Sequence, residues 1–463
     1  MTQTAFAEAL ETETGHLPEK DNKKTTTAWA MYDWANSVYP LVISSAIFPI
    51  YYTAVTTKKN SAGDIIDDNV VFLGSTFKNT VISNYALALS FLVICFLSPL
   101  LSGIADSRGN KKNFMRFFCY LGALSCASLY LLTKEPETFP WGIVSIFFAS
   151  LGFWSSLVFY NSFLPEIASP ENMDKTSAKG FSFGYLGSSL MLILCLVFIQ
   201  GFSESLGIDK GQATRICFIL IAIWWMGFAQ IFFTKVKEPK PKLKDESIFK
   251  GFHEIQKVFK QVRKSKSINR FLFAFLFYSM GVQTVMLVAA YFGAKLLNMP
   301  ASQLIPVILI IQFIGIAGSY FFSFISRKKG NKFSLGITLI IWVGICIGAW
   351  YDAEYKNIDR DKAVAGFYVL AFFVGAVMGG IQSLSRSTYG KLIPENTIDH
   401  ASFFSFYDIT EKFSMVIGLF IFAYVEQHSP EKGMQNSVLA LIVFFAIGFI
   451  LLQRLKDKRL KAA

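Results

Sequence analysis

The chain has 463 residues, of which 53% are hydrophobic and 16% charged, with a net charge of +12. A soluble domain carries about a quarter charged residues, so this composition excludes an ordinary water-soluble fold and points to lipid as the surrounding medium. The basic excess does not read as nucleic-acid binding, because Lys and Arg cluster in the gaps between long apolar runs. No nucleic-acid partner is expected.

A helix crosses a bilayer with about 20 apolar residues, so the chain has room for roughly a dozen crossings. The apolar runs are long and continuous, which excludes the short alternating strands of a membrane barrel. Residues 1–27 are polar and predict a cytoplasmic N-terminal segment without a cleavable leader. Spans 1 to 6 are then placed at about 28–55, 80–104, 113–133, 141–166, 178–201 and 214–234. Spans 7 to 12 follow at about 270–294, 303–326, 333–351, 364–390, 402–425 and 436–454, and 455–463 forms a tail. The fold class is therefore all-α integral membrane, with twelve helices in two six-helix bundles, 28–234 and 270–454. Of the 44 Lys and Arg, 31 lie in or beside predicted inner segments and 11 in or beside outer ones. That bias places both termini in the cytoplasm of a cell whose inner (plasma) membrane the chain crosses.

Segment 235–269 divides the halves. It opens as the charged, proline-bearing run KVKEPKPKLKDE and continues with Ile248, Phe252, Ile255, Phe259 and Val262 at helical spacing. Lys250, Lys257, Lys260, Arg263 and Lys264 lie among them. Such a helix suits an anionic cytoplasmic leaflet, and equally a linker that covers the cytoplasmic mouth. The six cysteines all fall in apolar runs and read as packing residues. The four histidines make no metal pair, and no cofactor is expected.

The two halves repeat. ADSRGNKKNF after span 2 matches ISRKKGNKFS after span 8, and a Pro-Glu, a short polar loop and an aromatic-Ser-Phe follow both span 4 and span 10. A six-helix repeat is the mark of a transporter whose site lies between its halves. Glycine pairs such as Gly315 with Gly318 and Gly375 with Gly379 predict close helix packing.

SGIADSRGNKK (102–112) resembles the loop signature of the major facilitator superfamily, with matches at Asp106, Gly109, Lys111 and Lys112. The signature glycine is displaced to Gly103 and the basic residue to Arg108. AMYDWANSVY (30–39), GGIQSLSRS (379–387), IPE (393–395), FFSFYDITEKFS (403–414) and YSMGVQT (278–284) are similar to signatures of the vacuole-effluxer-like family of amino-acid effluxers. Met280 stands where that family often has an acid. The resemblance covers all twelve spans and implies membrane transport of amino acids or similar solutes.

An ionisable group inside a bilayer costs about 2.5–3.5 kcal/mol on insertion scales, which makes it a functional candidate. Asp33 lies one turn into span 1 and shares a face with Tyr32 and Asn36. A carboxylate there suits an amino group or a coupling proton; it equally suits helix packing near a helix start. Gln283 offers a neutral donor and acceptor in span 7, or an interhelical bond. In span 10, Gln382 and Arg386 are four residues apart, and Arg386 either binds a substrate carboxylate or pairs with Glu395 or Asp408. In span 11, Asp408, Glu411 and Lys412 lie at i, i+3 and i+4 and form either a structural ion cluster or a pair that substrate and proton break and remake. Glu166 and Glu395 end spans 4 and 10. With Gly103, Asp106, Arg108, Gly109, Lys111 and Lys112 they are the candidate inner gate, against a purely topological role for these charges.

The leading expectation is a monomeric secondary transporter that moves a small zwitterion by alternating access, with protons as coupling partner and export favoured. Cell-wall fragments or lipid-like cargo are the alternative substrates, and a membrane receptor or scaffold on the same fold is the alternative class. No HExxH zinc pair and no P-loop occur, so neither metalloprotease chemistry nor direct ATP drive is expected, and the chain is not read as an enzyme.

Overall fold

A computed structural model describes residues 19–59, 65–238, 248–429 and 432–460. The polar N-terminus to residue 18, the linker at 239–247 and the side chains of Ile248, Lys250 and Phe252 lie outside the described residues.

In lipid, backbone N–H and C=O groups must bond within their own segment, so the apolar runs become helices. The first span runs Lys23–Thr56 in three pieces: α1 (Lys23–Asn36), a wide-turn π segment (Tyr39–Ile47) and α2 (Phe48–Thr56). Pro40 enters the π segment in its first turn, and its missing N–H removes a rung from the regular ladder. Next come α3 (Asn79–Arg108), α4 (Lys111–Ser128), α5 (Phe139–Ser162), the one-turn α6 (Leu164–Ile167), α7 (Met173–Val197) and α8 (Lys210–Lys235). The linker helix is α9 (Ile248–Lys264). It is followed by α10 (Lys266–Leu296), α11 (Ala301–Lys329), α12 (Asn331–Tyr355), α13 (Arg360–Leu392), α14 (His400–His428) and α15 (Gly433–Gln453).

Helix starts are capped by side chains the sequence places there. Asp209 accepts from the N–H groups of Gly211 and Gln212, Ser265 from Ile268, and Asp359 from Lys362. Gly109 ends α3 in the left-handed conformation (φ +57°), which a residue without Cβ adopts at no steric cost. Between α2 and α3 two hairpins form, β1 (Lys58–Lys59) with β2 (Ile65–Asp67) and β3 (Asn69–Phe72) with β4 (Ser75–Lys78). The second turns on Leu73 and Gly74, both at positive φ.

Among the described residues, eleven helical segments are long and apolar enough to cross a membrane. The remaining predicted span, α14, has ample length at 29 residues and packs against α10 and α15. Its interior charges keep it below that apolarity.

The chain forms two compact units. The first comprises 27–160 and 186–251 among the described parts; the second comprises 19–26, 161–185 and 252–463. Residues 161–185, the end of α5 through the first half of α7, group with the C-terminal helices in the second unit. Within the second unit α11 and α13 pack most closely. A Cβ on Gly318 would overlap the Ala376 carbonyl, one on Gly379 the Gly315 carbonyl, and one on Gly375 would stand only 2.7 Å from the Ile311 carbonyl oxygen. Gly318→Val should destabilise the protein by about 1–3 kcal/mol or more, because the obstacle is backbone and cannot rotate away. Thermal unfolding in detergent reads that loss; an unchanged midpoint would refute the packing argument.

Candidate functional site

In the first unit, Asp33 lies buried on α1 and accepts a hydrogen bond from the Tyr160 hydroxyl at 2.7 Å. Tyr160 is held in place twice: its ring stacks on Trp29 at 4.4 Å, and its carbonyl accepts from the Trp29 indole N–H at 3.0 Å. Tyr32 is fully buried against Tyr160 and Phe232. Asn36, one turn beyond Asp33 and directly before the π segment, is 1% exposed. Neither its amide nitrogen nor its amide oxygen has a hydrogen-bond partner among the described residues. A buried amide left so costs about 1–3 kcal/mol, which marks it as a place for a ligand or water.

In the second unit, α14 carries a charged cluster. Lys412 donates to Asp408 Oδ1 at 3.0 Å and to Glu411 Oε2 at 3.2 Å, and the Gln283 amide of α10 donates to Glu411 Oε1 at 3.0 Å. The Lys412 side chain is 0% exposed and that of Glu411 20%, so Glu411 is the open end of the cluster. Asp408 Oδ2 is buried without a hydrogen-bond partner among the described residues. At 1.5 Å per residue, Lys412 lies about 18 Å from the His400 end of a helix about 44 Å long. With both acids ionised the three groups sum to −1. A net charge within a span is unfavourable, and one proton or one cation brought to the three groups neutralises their sum.

Gln382 and Arg386 bind elsewhere. Gln382 accepts from the Tyr185 hydroxyl at 2.6 Å. Arg386 is 3% exposed, with Nε bonded to Ser177 Oγ at 3.0 Å, Nη2 to the Ser177 carbonyl at 2.9 Å and Nη1 to Asn161 Oδ1 at 3.3 Å. Its guanidinium lies over the Phe181 ring at 4.2 Å. These partners all come from segment 161–185, so Arg386 helps hold that segment on α13 through neutral oxygens.

Of the predicted gate residues, Asp106 and Lys111 are buried on either side of Gly109, and Gly103 is buried on α3. Arg108 is exposed. The Lys112 backbone N–H at the start of α4 donates to Glu238 Oε2 at 3.1 Å. Glu166 is half-buried in α6, and Glu395 is exposed.

A buried network escapes the sequence reading. Asp174, at the start of α7, accepts from Lys391 at 2.7 Å, Asn331 at 2.8 Å and Ser326 at 2.8 Å. Asn331 also accepts from Lys391 at 2.8 Å and donates to Thr388 at 3.0 Å. It ties the start of α7 to the facing ends of α11, α12 and α13. The available signal was the repeated loop: Asn331 and Gly330 fall in the ISRKKGNKFS copy, while Asp174 and Lys391 belong to no motif that stands out in the sequence. Tyr160 and Ser177 were likewise invisible among many aromatic and hydroxyl residues.

GFSFG (180–184) has the spacing of a hydrolase nucleophile elbow, but it lies inside continuous α7, and Ser182 donates to the Ile316 carbonyl at 3.4 Å. The elbow requires a strand-to-helix turn, so this match carries no hydrolase chemistry. Among the described residues, no group of three or more His, Cys, Asp or Glu could hold a metal ion.

Long apolar helices, a repeated loop and charges sealed inside the spans define a class. The chain has the major facilitator fold: it superposes on the human organic anion transporter MFSD10 with a TM-score of 0.68 at 11% identity, covering 94% of this chain and 100% of that one. It belongs to the family described as vacuole effluxer Atg22 like, which matches residues 21–463. It is 28% identical to YxiO of Bacillus subtilis (strain 168), an uncharacterized MFS-type transporter, over 93% of this chain and 94% of that protein. Autophagy-related protein 22 of Coccidioides immitis (strain RS) is 22% identical over 93% of this chain and 86% of that protein.

Proposed function

We propose that this transporter exports a small zwitterion, an amino acid or a similar solute, by proton-coupled alternating access. It works as a monomer in the plasma membrane with both termini in the cytoplasm. The observation that carries the reading is the cluster of Asp408, Glu411, Lys412 and Gln283, two acids with one lysine and a residual charge of −1 inside a span. Such a cluster accepts one positive charge at a time, either a proton on Glu411 or the ammonium of a substrate. Competition for that single charge is a coupling mechanism, because each ligand shifts the state the other binds.

Asp33 with Asn36, whose amide has no hydrogen-bond partner among the described residues, supplies a second acid and a neutral donor and acceptor, a set suited to both ends of a zwitterion. The family description supports efflux as the direction. The decisive experiment is uptake into proteoliposomes under an imposed pH gradient, screened across amino acids, small peptides and muropeptides. Glu411→Gln and Asp33→Asn should each abolish pH-driven transport while the thermal midpoint stays near wild type. Full activity in both variants would remove the coupling assignment, and transport of muropeptides alone would replace the substrate class.

A further inference from the structure

We infer that the exposed face of the linker helix α9 is a binding surface for anionic lipid headgroups, seated at the end of α14. The inference rests on the cytoplasmic orientation proposed above only for which leaflet supplies the lipid.

Three observations carry it. First, α9 is fastened to the membrane domain on one side. Val258 (0% exposed) and Val262 (5%) are buried in the hydrophobic core of the second unit, and Lys257 pairs at 3.0 Å with Asp399, the buried residue that precedes α14. Second, Phe259 stands half exposed beside that buried edge, with its ring 6.0 Å from Phe406 of α14. Phe406 lies seven and fourteen residues before Phe413 and Phe420, which are 53% and 70% exposed, so all three share the stripe of α14 that meets lipid. The Phe259 edge of α9 therefore sits at the membrane boundary. Third, the next face of α9 around from Phe259 is basic. Lys260, Arg263 and Lys264 are all exposed and follow it within little more than one turn.

An aromatic residue at the apolar boundary with cations fanning away from it is the arrangement of a helix lying in the headgroup region. The cations have no use for neutral lipid, and charge complementarity selects phosphate-bearing headgroups of net negative charge. Because Lys257 joins α9 to the start of α14, lipid bound there bears directly on the helix that carries Glu411 and Lys412.

The test uses the full chain in neutral detergent, titrated with short-chain phosphatidylglycerol and, in parallel, phosphatidylcholine. Hydrogen exchange of the amides of residues 255–264 reports binding. Each basic residue near an anionic surface is worth about a fivefold gain in affinity, so Lys260→Gln, Arg263→Gln and Lys264→Gln together should raise the half-saturating phosphatidylglycerol concentration on the order of 100-fold. The charge-keeping set K260R, R263K and K264R should titrate like wild type, and exchange across α14 in the same data reveals a variant that has failed to fold. Equal protection by the two lipids, or loss of the response in the charge-keeping set, would overturn the inference. Protection by soluble polyglutamate but not by phosphatidylglycerol would assign the face to an acidic protein and overturn it as well. The readout involves no transport, so its failure is distinct from failure of the proposed function.

Discussion

Lys412→Met should be the most damaging single substitution in α14, costing about 3–5 kcal/mol, the range for removing one partner of a buried ion pair. The reason lies in the neighbours. Lys412 is the common donor to Asp408 and Glu411, and its loss leaves two carboxylates in a span without their cation. Differential scanning fluorimetry in detergent reads the loss. Adding Asp408→Asn and Glu411→Gln to Lys412→Met should recover most of the stability, because the charges that needed compensation are then gone. The triple variant should still fail to transport if the cluster carries the coupling. A triple variant no more stable than Lys412→Met would show that Lys412 acts by packing and not by charge. Survival of pH-driven transport in it would move the coupling to Asp33.

A second large effect is expected at the start of α7. Lys391→Met removes the cation from Asp174, whose carboxylate is sealed under α11, α12 and α13, and should likewise cost about 3–5 kcal/mol. Asp174 keeps its bonds from Ser326 and Asn331, so Asp174→Asn in the Lys391→Met background should be milder than Lys391→Met alone. The double-mutant cycle should return a coupling energy of about 0.5–3 kcal/mol. Additive effects of the two substitutions would mean that the pair contributes nothing beyond its separate members. Arg386 fastens the same segment through Ser177 and Asn161, so Arg386→Lys should lose the forked bond to Ser177 while keeping its charge. Faster hydrogen exchange over 161–185 is the matching readout.

These predictions separate what is legible along the chain from what is not. The places of eleven membrane helices follow from runs of apolar residues, because hydrocarbon requires each segment to satisfy its own backbone. The cluster on α14 was equally legible, since Asp408, Glu411 and Lys412 share one helix and local geometry alone brings them together. The spacing of Gly315, Gly318, Gly375 and Gly379 announced close helix packing, but not that α11 and α13 are the two helices that meet. The hairpins between α2 and α3 were not announced: strands of two to four residues leave too short an alternating pattern to stand out.

The sequence by itself determined a membrane-embedded helical transporter and the identity of the residues that carry charge into the bilayer, because depth and periodicity are properties of single helices. Only the tertiary structure decided who meets whom. It gave Asp33 to Tyr160, Gln283 to Glu411, Arg386 to Ser177 and Asp174 to Lys391, pairings that span 127 to 217 residues. Hydrogen bonds and ion pairs are short-ranged, so their partners are set by how helices pack, and packing is a relation between distant segments that no local pattern records.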